Sequence, residues 1–398
     1  MNVLDKCYGF QRAHAAKKAG YYPYFIPLDE NEGTEASYKG HRLVMIGSNN
    51  YLGLTTDSRV KVAAQEAIEK YGSSCTGARF LNGTLALHEE LEEELAELVN
   101  KEAALVFGNG YQVNLGVISS LLGRRDVAII DHDDHASIID GCRLSVGETR
   151  RFHHNDLDHL DHVLRTCSEG VGKLVIVEGV YSMGGDIAPL PEIVELCQKH
   201  NAQLMVDDAH GIGVIGEGRG TAAHFGVSDG VDLIMGTFSK SLASLGGFIA
   251  GDAQVIHYIK HFARTMIFSA SVTPPNAAAA LAAVRIIREE PHRIKRLAEV
   301  SERMKKEFTD MGLDVGNTET PIVPIILGDE MTTLGMWRAL FDAGIFANAV
   351  IPPAVSPNAS RLRTSYMATH TDEQLDMVVN TFREVLSKAN GLEASGFV

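Results

Sequence analysis

The sequence predicts an α/β protein with a mostly parallel central sheet and a smaller C-terminal α+β domain. Three observations predict it. Short apolar bursts, each closed by glycine or a polar turn, alternate with helix-compatible stretches through the middle of the chain. The character changes after residue 290, where a long charged helical stretch begins. The length of 398 residues, 45% of them hydrophobic, suffices to bury one large core and a second smaller one.

The bursts lie at 103–107, 127–130, 174–177, 204–206, 233–235 and 247–250, the layout of a parallel or mixed sheet covered by helices on both faces. In such sheets ligands sit beyond the carboxyl ends of the strands, so the residues after each burst are where chemistry is expected. Residues 85–99 carry apolar side chains at 85, 87, 91, 95, 98 and 99 among many glutamates, which predicts an amphipathic helix with a solvated acidic face. A charged helix is expected from Pro291 to about Met311, an apolar strand at 322–327 and an amphipathic helix from Thr371. These divide the chain into an N-terminal segment, 1–50, a large domain, 51–290, and a small domain, 291–398. No internal repeat or low-complexity tract interrupts them.

The formal net charge of -15 argues against a nucleic-acid partner, which would require a surplus of Lys and Arg on some face. Cys7, Cys75, Cys142, Cys167 and Cys197 are odd in number and never form a C-x-x-C pair, so a reducing cytoplasm is expected rather than a disulfide framework or a zinc ribbon. The charged, amphipathic N-terminus lacks the pattern of a secretory signal, and no apolar run reaches the roughly 18 residues of a spanning helix.

Candidate chemistry gathers at the strand ends. The burst at 233–235 runs into Gly-Thr-Phe-Ser-Lys, which places Lys240 beyond a buried strand with Thr237 and Ser239 beside it. A desolvated lysine amine loses basicity and can form a Schiff base, while the hydroxyls and nearby N–H groups can hold a phosphate. A surface lysine in a loop would read the same from this pentapeptide alone. The preceding strand delivers Asp207 and His210 to the same sheet edge. A buried carboxylate there suits a protonated pyridinium nitrogen, though Asp207 and Asp208 could also cap a helix or join His210 on a metal.

The burst at 127–130 leads to His132 and His135, of which His135 could stack on a flat ring; a solvated loop or an H-x-x-H metal pair is the other reading. The histidine-rich tract 153–162 is expected to be loop and exposed helix start. Gly110 and Tyr111 open a helix after the burst at 103–107, so their N–H groups suit an anion. Gly211-Ile-Gly-Val-Ile-Gly216 fits a dinucleotide fingerprint, but the glycine-broken sequence after it does not continue as a helix. Arg361 and Arg363 alternate on one strand face, where either could clamp a substrate carboxylate or form a surface ion pair.

Ser-Asn-Asn-Tyr-Leu-Gly at 48–53, Gly-Ala-Arg-Phe-Leu-Asn-Gly-Thr at 77–84, Asp-His-Ala-Ser at 134–137, Asp-Asp-Ala-His at 207–210 and Gly-Thr-Phe-Ser-Lys at 236–240 together resemble the α-oxoamine synthase family of fold-type I pyridoxal 5′-phosphate (PLP) enzymes. The match runs through nearly the whole chain, and the flanks at 79–84 and 236–247 look most like the bacterial serine palmitoyltransferases. The resemblance implies an aspartate aminotransferase-like fold and a PLP-dependent acyltransferase joining L-serine to a long-chain acyl-CoA such as palmitoyl-CoA. Relatives that use cysteate, or that make 2-amino-3-oxobutyrate or 8-amino-7-oxononanoate, are the nearest alternatives. A catalytically silent partner subunit is the non-enzymatic one.

By this resemblance Lys240 holds the cofactor, Asp207 pairs with its ring nitrogen, His135 stacks on the ring, and His210 with Ser182 approaches its 3′-oxygen. Gly110, Tyr111, Thr237 and Ser239 take the phosphate, and Asn49 and Arg363 address the substrate. The family's active site lies between two subunits, so a homodimer is expected, with Ser271 or Thr273 reaching across. An amphiphilic product leaves peripheral contact with the inner face of a membrane open. Gly184 departs from the pattern, since relatives often carry an acid there.

Overall fold

The computed structural model describes residues 2–394. Seven strands form the central sheet: β1 Ala103–Phe107, β2 Asp126–Asp131, β3 Glu148–Phe152, β4 Gly172–Glu178, β5 Gln203–Asp207, β6 Leu233–Thr237 and β7 Gly247–Gly251. Their order across the sheet is β1, β7, β6, β5, β4, β2, β3. β7 is antiparallel to both β1 and β6, and every other neighbouring pair is parallel.

The alternating side chains explain why these segments are strands. Val127, Ile129, Val175, Val177 and Val206 point into one hydrophobic cluster, while Ala128, Ile130, Leu174, Ile176 and Met205 point into another on the opposite face. Both faces are covered by helices, so the strands read as unbroken apolar runs. β3 is the exception the sequence concealed. Its Glu-Thr-Arg-Arg-Phe has one neighbour only and is largely exposed, so nothing selects an apolar run there.

The remaining core is built from the C-terminal part with a contribution from the N-terminal part. Strands Ile322–Gly328, Ser360–Ser365 and Asn348–Val350 form an antiparallel sheet, with helices Pro291–Asp310, Glu330–Asp342 and Asp372–Ala394 nearby in sequence. Val300, Met304, Phe308, Trp337, Leu362 and Phe382 fill it. The strand His41–Met45 joins by pairing in parallel with Ile345–Phe346, which places Val44 and Ile46 in the same cluster.

Two expectations need correction. Helix Ala86–Leu98 buries Leu87, Leu91, Leu95 and Leu98 as its periodicity requires, but its acids are not uniformly solvated. Glu92 turns inward and accepts from Arg79 at 2.8 and 3.1 Å and from Val106 N at 2.8 Å. The tract at 153–162 is not simply exposed either. Helix Leu157–Arg165 buries Leu160, Val163 and Leu164, and His154 is held between two carboxylates. The glycine run at 211–216 leads to a 3-10 turn, Gly216–Gly218, and then a short helix, Thr221–His224, rather than a phosphate-binding helix.

Candidate active site

Three adjacent parallel strands deliver ionisable groups to one sheet edge. β4 ends on Glu178 and β5 on Asp207, which are partners in the strand register. β6 ends on Thr237, and the tight turn after it carries Lys240, whose C=O accepts from Ala243 N at 3.0 Å. Lys240 is only partly accessible, and burial pushes its amine down to about 8; Asp207 and Glu178 oppose that fall and Arg363 adds to it. The amine and both acids therefore act within one electrostatic field. Lys240 and Ser239 also line a cavity of about 420 Å³ with Ser48, Asn50, Lys61 and Asn276.

Asp207 is buried and held on both oxygens: Oδ2 accepts from Asn114 Nδ2 at 2.7 Å and Oδ1 from Ala209 N at 3.1 Å. Asn114 uses its other hydrogen on Ser137 Oγ at 2.8 Å, and Ser137 Oγ lies 2.7 Å from His135 Nδ1. Ser137 N also donates to that nitrogen at 3.2 Å. Since a backbone N–H can only donate, Nδ1 is the acceptor and the neutral ring carries its proton on Nε2. Burial and Lys240 lower the basicity of His135 against the pull of Asp207. Part of the residue remains exposed, and the Tyr111 ring stands edge-on to the His135 ring at 6.2 Å.

His210 is buried, and desolvation together with Lys240 and Arg363 holds it well below the ordinary histidine range, so it is neutral. Its Nδ1 lies 2.7 Å from Tyr51 OH, which in turn lies 3.3 Å from Asn49 Oδ1. Arg363 is buried and donates from Nε to Ser182 O at 2.6 Å; Arg361, on the same strand face, donates to Met183 O at 3.2 Å. Ser182 N donates to Glu178 Oε2 at 3.2 Å. Burial, reinforced by Asp207, raises the Glu178 carboxyl well above the usual range.

At the other end, Gly110 and Tyr111 begin helix Gly110–Leu121 behind the Asn109 cap. Thr237 Oγ1 lies 3.0 Å from Ser239 Oγ. A methyl on Gly110 would stand 2.9 Å from Thr237 Oγ1, so glycine lets the helix N-terminus meet the β6 hydroxyl directly. Ser271 Oγ is committed within its own chain, 2.8 Å from Gly77 O and 2.7 Å from Gly83 O. Thr273 precedes helix Pro274–Glu289 and makes no side-chain cap.

Sequence reasoning passed over Glu178, Asn114 and Tyr51. Glu178 follows the burst at 174–177 directly, so the strand-end rule that selected Asp207 would have selected it too. Asn114 lies one helical turn after Gly110, a spacing that points back at the strand ends. Tyr51 was within a quoted motif, but only tertiary contact shows its hydroxyl on His210.

A lysine and a buried aspartate at the carboxyl ends of neighbouring strands of a mostly parallel sheet, with a helix N-terminus and two hydroxyls close by, define a fold-type I PLP-dependent transferase. The chain belongs to the aminotransferase class I and II family, whose model matches residues 42–382. Within it the chain is an α-oxoamine synthase most like the bacterial serine palmitoyltransferases. A serine palmitoyltransferase of Sphingobacterium spiritivorum is 49% identical over 381 residues, 96% of each chain. An 8-amino-7-oxononanoate synthase of Thermoanaerobacter pseudethanolicus is 40% identical over 382 residues, 96% of this chain and 97% of that one. The solved serine palmitoyltransferase of S. paucimobilis, holding a PLP–myriocin aldimine, superposes with a TM-score of 0.95 at 35% identity and 100% coverage of both chains.

Proposed function

We propose that this enzyme condenses L-serine with a long-chain acyl-CoA, palmitoyl-CoA being the type substrate, and releases CoA, CO2 and 3-ketodihydrosphingosine, as in the first step of sphingolipid synthesis. The observation that carries the reading is the placement of Lys240 and Asp207 in one field at neighbouring strand ends, in a chain about half identical to serine palmitoyltransferases.

The residues present fit PLP. The buried Glu178 Oε1 has no hydrogen-bond partner beside Lys240, and the Gly110 to Thr237 approach leaves no room for a larger residue. Lys240, Asp207, His135, His210, Ser182, Gly110, Tyr111, Thr237 and Ser239 would hold the cofactor, with the partner subunit's Thr273 reaching its phosphate in a homodimer. When bound, PLP supplies an aldehyde for Schiff-base formation and a protonated ring that accepts the electron pair left on Cα.

The chain's own groups do the rest. Asp207, fixed by Asn114 and Ala209 N, would pair with the ring nitrogen and favour its protonated form. Lys240 Nζ, depressed by burial, is basic enough to take the Cα proton and acidic enough to return it near neutral pH. His135, with its proton on Nε2, would pack against the cofactor and offer that N–H to the substrate. Arg363, with Asn49, would bind the serine carboxylate and fix its orientation for the reaction. Among the described residues no helix is long and apolar enough to cross a membrane. We place the enzyme in the cytoplasm, with peripheral contact where its amphiphilic product leaves.

An absorbance titration with serine, glycine, alanine and cysteate tests the substrate. Serine is expected to shift the cofactor band and to support CoA release from palmitoyl-CoA. Release with cysteate or glycine but not serine would transfer the assignment to another α-oxoamine synthase, and a pure protein that binds no PLP would support a silent subunit.

A further inference from the structure

His154 lies outside the group of residues described above, yet its contacts run to two segments that carry members of that group. Nδ1 lies 3.1 Å from Asp131 Oδ1 and Nε2 lies 2.8 Å from Asp186 Oδ2. Ionised carboxylates only accept hydrogen bonds, so a ring facing one with each nitrogen is held as the imidazolium. Asp131 is fully buried, and its other contacts are the N–H groups of Asp133 at 2.8 Å and Asn155 at 2.9 Å. Asn155 Nδ2 adds a second donor to Asp186 Oδ2 at 3.0 Å, and the Tyr181 ring packs edge-on against His154 at 4.4 Å. The two acids raise the basicity of His154 to about 10 although burial works the other way.

Each carboxylate belongs to a segment that ends in the active site. Asp131 closes β2, and its N–H donates to Asp134 Oδ2 at 3.0 Å in the short loop that carries His135. Asp186 closes the turn 181–186, in which Tyr181 N donates to Asp186 O at 3.0 Å and Gly185 N to Tyr181 O at 2.8 Å. The carbonyls of Ser182 and Met183 in this turn receive Arg363 and Arg361. Gly184 now has a physical reason: a Cβ there would collide with Asp186 Oδ1 in the orientation His154 imposes.

We propose that His154 is a positioning residue: as an imidazolium bridging Asp131 and Asp186 it fixes the turn 181–186, and through Ser182 O it fixes the guanidinium of Arg363, tying substrate-carboxylate binding to the loop that bears His135. The inference rests on the reading of Arg363 as the carboxylate-binding group. Neither a solvated histidine nor a packing residue would require one buried and one half-buried carboxylate held apart by a single ring.

The test uses the PLP-loaded enzyme. Serine affinity is read from the shift of the cofactor band, alongside KM for serine and for palmitoyl-CoA, cofactor content and melting temperature. His154→Ala is expected to weaken serine binding and raise its KM about five- to tenfold, the range of a coupling interaction, with the palmitoyl-CoA KM and cofactor content unchanged. His154→Gln, which keeps one donor toward Asp186, should recover part of the loss. Asp186→Asn should reproduce the serine defect, and it decides the matter should His154→Ala fail to fold. In a double-mutant cycle the effects of His154→Ala and Arg363→Lys should fall short of additive. Serine affinity unchanged in His154→Ala and Asp186→Asn, or serine and palmitoyl-CoA KM rising together with loss of cofactor, overturns the proposal. Arg363→Lys without effect on serine affinity would instead remove the reading beneath it.

Discussion

Replacing Asp207 by asparagine keeps the shape of the side chain and removes its charge. In the native site Asn114 Nδ2 and Ala209 N, both donors, approach the two Asp207 oxygens at 2.7 and 3.1 Å. An asparagine offers one acceptor oxygen to these donors and turns its own NH2 toward the other, so one buried hydrogen bond is lost and a donor is left unsatisfied at about 1–3 kcal/mol. The charge-assisted bond to the ring nitrogen loses a further 1.5–3 kcal/mol or so. The two add to about 2.5–6 kcal/mol, which at about 1.4 kcal/mol per decade is a fall in kcat/KM of roughly 10²- to 10⁴-fold. The assay is steady-state CoA release with serine and palmitoyl-CoA, with melting temperature as the control for folding. A loss below tenfold in a well-folded variant would refute the reasoning, because the carboxylate would not then be carrying the ring's charge.

Glu92→Gln leaves Arg79 buried against an amide that returns only part of its hydrogen bonds, so unfolding by urea should show a loss of about 3–5 kcal/mol with activity intact in the folded fraction. His154 has its basicity raised in the folded state from 6.5 to about 10, so its stabilising contribution is complete below the unfolded value and is lost as pH rises through about 10. The melting-temperature gap between wild type and His154→Gln should therefore be widest at or below about pH 6 and narrow steadily toward pH 10; a gap constant across that window would mean that His154 does not titrate there.

Strand ends with both faces of their strand buried were legible from sequence, because such strands must be apolar and must stop at a polar residue. Lys240, Asp207 and His135 were found in this way. The edge strand β3 was not, since one solvated side permits Glu-Thr-Arg-Arg-Phe. Glu92 could not be separated from its neighbouring glutamates, because what singles it out is Arg79, 13 positions upstream and across the helix packing. His154 was hidden in a histidine-rich tract for the same reason: Asp131 and Asp186 are 23 and 32 residues away, and only the closing of β2 against the turn 181–186 brings them to one ring. Arg363 was separable from Arg361 by resemblance, and the structure adds a physical distinction, since Arg363 is the more buried and acts on both Lys240 and His210.

Sodium borohydride reduction of the PLP-loaded enzyme, followed by proteolysis and mass spectrometry, tests the assignment of the reactive amine most directly. The phosphopyridoxyl adduct is expected on the peptide containing Lys240, and Lys240→Ala protein should neither show the visible band nor be labelled. An adduct on a different lysine, or a band that survives in Lys240→Ala, would contradict the account.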